Sequence, residues 1–290
     1  MKILLLGRNG QVGWELERLL APQNELTALG RAELDLADVP RLVATVRALQ
    51  PEAIMNAAAY TAVDKAESER DAAFAVNATA PRALAEEAKR IGALLVHYST
   101  DYVFDGAKAT PYVEEDAPNP INVYGASKLA GERAIAATGC RHLILRTSWV
   151  YGPRGSNFML TMLRMARERP ELRVVDDQVG APTSSRAIAR ATAAVLARAL
   201  QSSELAGLYH LAARGETSWC GFARAIFQQA DVATPVVPIR TEEYPTPARR
   251  PRNSRLDCSR LRTAFGVTLD PWEEGLAEAL ADHARLSRPR

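Results

Sequence analysis

Short unbroken apolar runs alternate with longer stretches of helical period through the first half of the chain. The runs are KILLLG (2–7), ELTALG (25–30), EAIMNAA (52–58), ALLVHYS (93–99) and HLILRTSWVY (142–151). Between them VGWELERLL, VPRLVATVRALQ, APRALAEEAKRIG and NVYGASKLAGERAIAATG repeat apolar residues near i, i+3, i+4 and i+7, the spacing of amphipathic helices. Apolar strands each followed by a helix predict a parallel sheet covered on both faces. Right-handed crossovers then make a doubly wound, Rossmann-type α/β sheet the expected fold. Gly92 and Gly139 stand where two helices must end, as C-terminal cap glycines do. Residues 102–121 are rich in turn formers and predict a long loop over the sheet's end, not a strand pair.

After about residue 152 the pattern loosens. Helical period returns at 156–169, 185–200, 219–230 and 272–286, with strand-like runs at 171–178 and 207–212 and a Pro-rich stretch at 235–251. The expected division is a dinucleotide-binding unit at 1–152 and a smaller α/β region at 153–290. The second is read as mainly substrate-binding, with some segments returning to the main sheet.

Composition narrows the function classes. The 290 residues are 47% hydrophobic, enough for a sizeable core, and the formal charge is only +2. No like-charge run appears before ARRPRNSR (248–255), which argues against a nucleic-acid or membrane surface. Cys140, Cys220 and Cys258 are scattered, and the four histidines show no ligand spacing, so no disulfide frame or zinc site is expected. MKILLLG is too short an apolar run for a secretory signal, and nothing approaches the length of a membrane span. A soluble cytoplasmic protein is expected.

The chemistry begins at GRNGQVG, which sets Gly7, Gly10 and Gly13 between the first strand and the first helix. Glycine allows the tight turn and lets a pyrophosphate reach the free N–H groups at a helix N-terminus. With Asn9, Gln11 and Val12 in the same loop, this reads as a dinucleotide site, against the plainer reading of an ordinary strand–helix turn. The G-x-x-G-x-x-G spacing points to short-chain dehydrogenases. NAD-preferring sheets place Asp or Glu at the end of the second strand; here LGRAELDL carries Gly30 and Arg31. A guanidinium suits a 2′-phosphate, so NADPH is expected over NADH, which stays open because Arg31 also reads as a solvated side chain. Asp35 and Leu36 are expected near the adenine, and Ala57, Ala58 and Ala59 of NAAAYT along the cofactor.

NVYGASKLAGE (122–132) places Tyr124 and Lys128 one helical turn apart. A free phenol, with a pKa near ~10, is a slow proton donor at neutral pH, and a neighbouring ammonium lowers that value. The same letters also suit the wet face of a helix. HYSTDYVFDG adds Ser99, Thr100 and Asp101 at the end of the fourth strand, where ligands bind in such sheets. Together with the glycine loop, the three segments read as a carbonyl-reducing site.

At this point the chain resembles the extended short-chain dehydrogenases/reductases, and within them the dTDP-4-dehydrorhamnose reductase family. The resemblance rests on GRNGQVGWEL, NAAAYTAVDKAE, VNATAP, HYSTDYVFDG, YG-x-SKLAGE, RTSWVYG, DDQVGAPT and ARRPRNSRL, across roughly residues 1–260. It implies reduction of the 4-keto group of dTDP-4-dehydro-L-rhamnose, the dTDP-sugar substrate. Tyr124 would be proton donor, Lys128 its partner and a ribose ligand, and Thr100 the hydrogen-bond donor to the carbonyl. It implies sugar contacts at Thr61, Val63, Asp101, Tyr102 and Trp149, the last also readable as a core tryptophan. Asn157 and Phe158 would touch the nucleotide. Arg249, Arg250 and Arg252, with Asn253 and Ser254, would meet the diphosphate or, on the plainer reading, clamp acidic loops. Some family members form a homodimer through magnesium held by two glutamates. Glu15 matches one, but Arg186 stands at the other, which argues against magnesium here and leaves Glu15 as a surface helix residue. Two rivals share these motifs: a reductase of another dTDP-4-keto sugar, and a non-catalytic cofactor-binding subunit. The second tends to lose part of the Thr–Tyr–Lys set, which is complete here.

Overall fold

The computed structural model describes residues 1–286; the last four residues of the expected 153–290 region lie outside the described residues. In chain order the elements are β1 (Lys2–Leu6), α1 (Gln11–Leu20), β2 (Glu25–Leu29), α2 (Val39–Leu49), β3 (Ala53–Asn56), α3 (Val63–Ala66), α4 (Arg70–Phe74), α5 (Ala80–Ile91), β4 (Leu94–Thr100), α6 (Val123–Thr138), β5 (His142–Thr147) and β6 (Val150–Tyr151). Then come α7 (Phe158–Glu168), β7 (Leu172–Val175), β8 (Val179–Gly180), β9 (Thr183–Ser184), α8 (Ser185–Gln201), β10 (Gly207–His210), β11 (Thr217–Ser218), α9 (Trp219–Gln229), β12 (Val236–Ile239), α10 (Ser259–Phe265) and α11 (Trp272–Leu286). A π-turn at Ala75–Thr79 joins α4 to α5.

Six parallel strands form the central sheet in the order β10-β5-β4-β3-β1-β2, the doubly wound fold expected. The apolar runs became strands because both faces are covered. Leu5, Met55, Val96 and Leu145 pack with α1, α8 and α10 on one side, while Leu4, Ile54, Leu95 and Ile144 pack with α2 and α5 on the other. Chain direction across the sheet reverses between β1 and β3, so the carboxyl ends of these strands flank the crevice where such sheets bind ligands. Gly92 (φ 72°) and Gly139 (φ 67°) terminate α5 and α6 in the left-handed conformation. Residues 104–121 carry no strand, and Tyr112 makes only a single bridge, to Leu256.

A further core gathers Tyr151, Met159, Phe222, Phe227, Trp272 and Leu276 from β6, α7, α9 and α11. β10 leaves this region and pairs with β5 in the main sheet. One strand lies inside the Pro-rich stretch: β12 pairs in parallel with β7 alone. It is an edge, where Pro238 is tolerated because no second ladder needs its N–H.

Candidate active site

The glycine loop forms a cradle between β1 and α1. Gly7 has φ 87°, and a side chain there would meet the Ala58 backbone nitrogen at 2.7 Å. A Cβ at Gly13 would overlap the Gly7 carbonyl, so helix and loop touch backbone to backbone. Gly10 precedes α1 with no side-chain cap, which leaves first-turn N–H groups free for an anion. Asn9 is exposed, Gln11, Val12, Ala57, Ala58 and Ala59 are half-buried beside the cradle, and Leu36 is buried in the core. Arg31 is 87% exposed at the side chain and touches only Asp35, at 3.2 Å. That contact and the Ala37 N–H hold the Asp35 carboxyl below its usual range, the Ala37 bond most strongly. The cradle and the exposed cation beside β2 fit a dinucleotide with a 2′-phosphate.

Thr100, Tyr124 and Lys128 converge at the carboxyl end of β4. Asn122 caps α6 by accepting from Gly125 N–H, and a Cβ at Gly125 would overlap the Tyr102 carbonyl oxygen. The helix therefore starts hard against the turn after β4. Farther along, Asn77 donates to Ser127 Oγ (3.0 Å) and to the Tyr60 carbonyl (3.0 Å), and Ser127 donates to the Tyr124 carbonyl (2.7 Å). Lys128 is buried; Nζ donates to the Tyr98 carbonyl at 2.6 Å and lies 3.1 Å from His97 Nε2. Burial lowers its pKa to about 8, with Glu132 one turn away pushing the other way. Burial also drives His97 well below its ordinary value, so it is a neutral acceptor for the ammonium. Burial pushes Tyr124 up to about 12, with a hydrogen bond to Thr100 pulling it down and Asp101 pushing it up. The lowering expected from Lys128 is not found, because the ammonium is drawn to Tyr98 and His97. What results is a phenol held protonated.

Asp101 is buried; Oδ1 accepts from Thr100 Oγ1 at 2.9 Å while Oδ2 has no partner. Desolvation raises this carboxyl to about 6, against the Ser254 and Thr100 hydroxyls, which lower it. Tyr102 packs edge-on against Tyr124, ring centroids 5.7 Å apart. Across the mouth, Thr61 is exposed and Val63 half-buried. Trp149 sits half-buried at φ 48° and stacks on Trp219 at 3.6 Å, with Phe158 tilted on Trp219 at 4.6 Å. Trp149 is thus neither a core residue nor a lone platform. Trp219 was not anticipated; its place at the start of a helix was the only signal.

Three expected contacts are spent on the fold. Asn157 caps α7 through Leu160 N–H and donates to Gln11 Oε1, Gly152 O and Arg154 O, leaving its amide no free donor for a nucleotide. Arg250 binds Asp64 through both nitrogens, at 2.6 and 2.8 Å, clamping residues 246–250 onto α3 beside Tyr102. Asn253 donates to the Lys108 and Thr110 carbonyls. Arg252 stays on the rim, 64% exposed and paired with Glu242 at 2.6 Å, while Arg249 is exposed.

Glu15 is not a surface residue. It is 6% exposed, because α1 packs on α8 and brings Arg186 Nε to 3.4 Å from Oε2; the same guanidinium binds Asp282 of α11. A cation already stands between the two carboxylates, so these residues do not fit a magnesium ion.

A parallel sheet with a glycine cradle at its switch point and a Thr–Tyr–Lys set at the end of β4 defines a Rossmann-type reductase of the extended short-chain class. The family model described as RmlD substrate binding domain matches residues 1–285. The dTDP-4-dehydrorhamnose reductase of Burkholderia thailandensis is 49% identical, over 97% of this chain and 99% of the relative. That of Escherichia coli K12 is 47% identical, over 97% of each. The solved dTDP-4-dehydrorhamnose reductase of Bacillus anthracis, in complex with NADP, superposes with a TM-score of 0.91 at 38% identity, covering 97% of this chain and 100% of that one. The chain belongs to the dTDP-4-dehydrorhamnose reductase family. Among the described residues no helix is long and apolar enough to cross a membrane.

Proposed function

We propose that this chain reduces the 4-keto group of dTDP-4-dehydro-L-rhamnose to dTDP-L-rhamnose with NADPH. The observation that carries it is a protonated, half-buried phenol beside Thr100, one turn from a tethered ammonium, at the sheet end that also holds the glycine cradle. Bound NADPH supplies the hydride. Gly7, Gly10, Gly13 and the first turn of α1 would hold its pyrophosphate, and Arg31, now on Asp35, would meet its 2′-phosphate. Tyr124 gives its proton to the sugar O4; at neutral pH it is in the acid form this needs. An ammonium has three donors. Two of Lys128's go to Tyr98 and His97, and the third would serve a ribose hydroxyl.

Sugar contacts fall to Thr61, Val63, Tyr102 and the Trp149–Trp219 stack, and the diphosphate to Arg252 at the rim. The region from 153 onward thus serves mainly the substrate, while β10 returns to complete the sheet. We further propose a cytoplasmic setting, where NADPH and nucleotide sugars are made, and that any homodimer forms without magnesium between Glu15 and Arg186. The test is NADPH consumption with dTDP-4-dehydro-L-rhamnose and identification of the product. Wild type should yield dTDP-L-rhamnose, and Tyr124→Phe should fall at least ~100-fold, the scale of a lost general acid. A wild type that binds NADPH without reducing this sugar, or a Phe variant as fast as wild type, refutes the assignment.

A further inference from the structure

Trp149 stands at the catalytic end of the sheet. It follows β5 closely, and the last residue of that strand, Thr147, pairs with Thr100 of β4. Its φ of 48° is a conformation that a bulky residue keeps only where its surroundings hold it. Here they do. Its carbonyl accepts from Thr183 N–H at 3.2 Å, and the Ser148 hydroxyl beside it donates to the Ala181 carbonyl at 3.1 Å. The indole is carried on a fixed piece of backbone and is half-buried.

Both faces of that indole are covered. A Cβ at Gly180 would stand 2.6 Å from Cε2 of Trp149 and 2.9 Å from each of its ring neighbours, Cζ2 and Nε1. A point closer to the shared atom than to either neighbour lies over the ring and not beyond its edge, so the Gly180 backbone backs one face. Trp219 lies on the other, with centroids 3.6 Å apart and planes 9° from parallel; on the Gly180 side it would overlap that Cβ position. Gly180 of β8 pairs with Thr217 of β11, and Trp219 follows β11 directly, so one ribbon supplies both covers. A hexose ring between two indoles needs them about 7–8 Å apart, the width of two van der Waals contacts. With the planes as they stand, no sugar can rest on Trp149.

We propose that Trp219 is a movable cover on a sugar seat formed by Trp149: its indole holds the outer face of Trp149 until the deoxyhexose ring displaces it. Of the two covers, Trp219 is the one free to move. Gly180 is main chain and Trp149 is pinned, whereas Trp219 is the half-exposed first residue of α9, and Phe158 meets it at a tilt of 45° with centroids 4.6 Å apart. A near-parallel sandwich is also a less favourable arrangement of two rings than an offset or edge-on pair, so the cover lifts at modest cost. The C–H face of the hexose then replaces one apolar contact by another on the same indole.

The inference rests on the reductase reading, and the experiment tells the two apart. Two indoles in face-to-face contact couple in circular dichroism. Trp219→Phe, which keeps a ring but breaks the indole pair, assigns that signal against Trp14 and Trp272. Wild type with NADPH bound is titrated with dTDP-L-rhamnose, already reduced at C4, and separately with dTDP. Calorimetry gives the affinities of wild type, Trp219→Ala and Trp149→Ala, with thermal melts and NADPH binding as checks on folding. The sugar nucleotide should abolish the coupled signal along its binding curve, and dTDP should leave it unchanged. Trp219→Ala should bind dTDP-L-rhamnose roughly 2- to 10-fold more tightly, the usual worth of an aromatic pair, and Trp149→Ala weaker by a similar factor. A stack that served only the fold would move both affinities the same way. A coupled signal that survives saturation with the sugar nucleotide overturns the inference. So does one that dTDP alone removes, or a folded Trp219→Ala that binds more weakly. The spectral arm needs no alanine variant, so it decides the matter even where one fails to fold. A wild type that binds NADPH but neither binds dTDP-L-rhamnose nor reduces dTDP-4-dehydro-L-rhamnose overturns the reductase reading itself.

Discussion

Removing Arg146 tests what holds the active-site helix to the sheet. Its guanidinium, on β5, binds Glu132 of α6 through two hydrogen bonds of 2.9 and 2.7 Å, with side chains only 2% and 6% exposed. It also lies over the Phe104 ring, 5.0 Å from the centroid. Arg146→Met keeps much of the volume and leaves Glu132 as a buried carboxylate without its cation. Breaking one side of such a pair costs about 3–5 kcal/mol, whereas replacing both partners with apolar residues is often neutral or better. At roughly 2–4 °C per kcal/mol for a large domain, the single variant should melt about 6–20 °C lower. Arg146→Met with Glu132→Leu should recover most of that loss. Urea unfolding of the four proteins closes the cycle. A single variant within about 1 kcal/mol of wild type, or a double variant no better than the single, refutes the reasoning. The double variant also removes the charge that supports the Lys128 ammonium, so its stability should return while its rate does not.

Gly131→Ala should destabilise by about 1–3 kcal/mol by thermal melt, although alanine is the better helix former, because its methyl would overlap the Asn77 carbonyl where α6 crosses the π-turn. Asp101→Asn should stabilise at pH 7. The folded state raises this carboxyl from 3.8 to about 6, so it binds more protons than the unfolded chain in that window and loses stability as pH rises through it. The cost at neutral pH is about 3 kcal/mol, and the difference in melting temperature between wild type and variant should shrink as pH approaches 4. Arg186→Gln should cost about 1–2 kcal/mol, less than a fully buried pair, because the guanidinium is 20% exposed where it meets Glu15 and Asp282. Urea unfolding reads it, and an unchanged midpoint refutes the role given to this cation.

The first five strands of the sheet were legible because β1, β3, β4 and β5 are largely apolar on both faces, and the helices between strands end in punctuation that the structure uses, such as Gly92 and Gly139. Elements whose stability comes from distant partners were not. β12 is hidden by Pro238 and exists because β7 lies beside it. The short helices between residues 63 and 74 are mostly polar, and part of their support is Arg250, which reaches Asp64 from 186 positions away. Glu15 reads as a solvent-facing helix residue because nothing near it announces that α8 will cover it with Arg186.

The site divides in the same way. Spacing and the alternation of strand and helix are enough to bring Thr100, Tyr124 and Lys128 to one end of one strand, since both are backbone properties. What each side chain can then do depends on which lone pairs and protons its neighbours have already taken. Lys128 fails to lower the Tyr124 pKa because Tyr98 and His97 hold it, and Thr100 fails to point a proton at the pocket because Asp101 and the Tyr102 N–H have claimed it. A motif therefore carries over which atoms meet, while the direction in which a proton runs between them is decided by residues outside the motif.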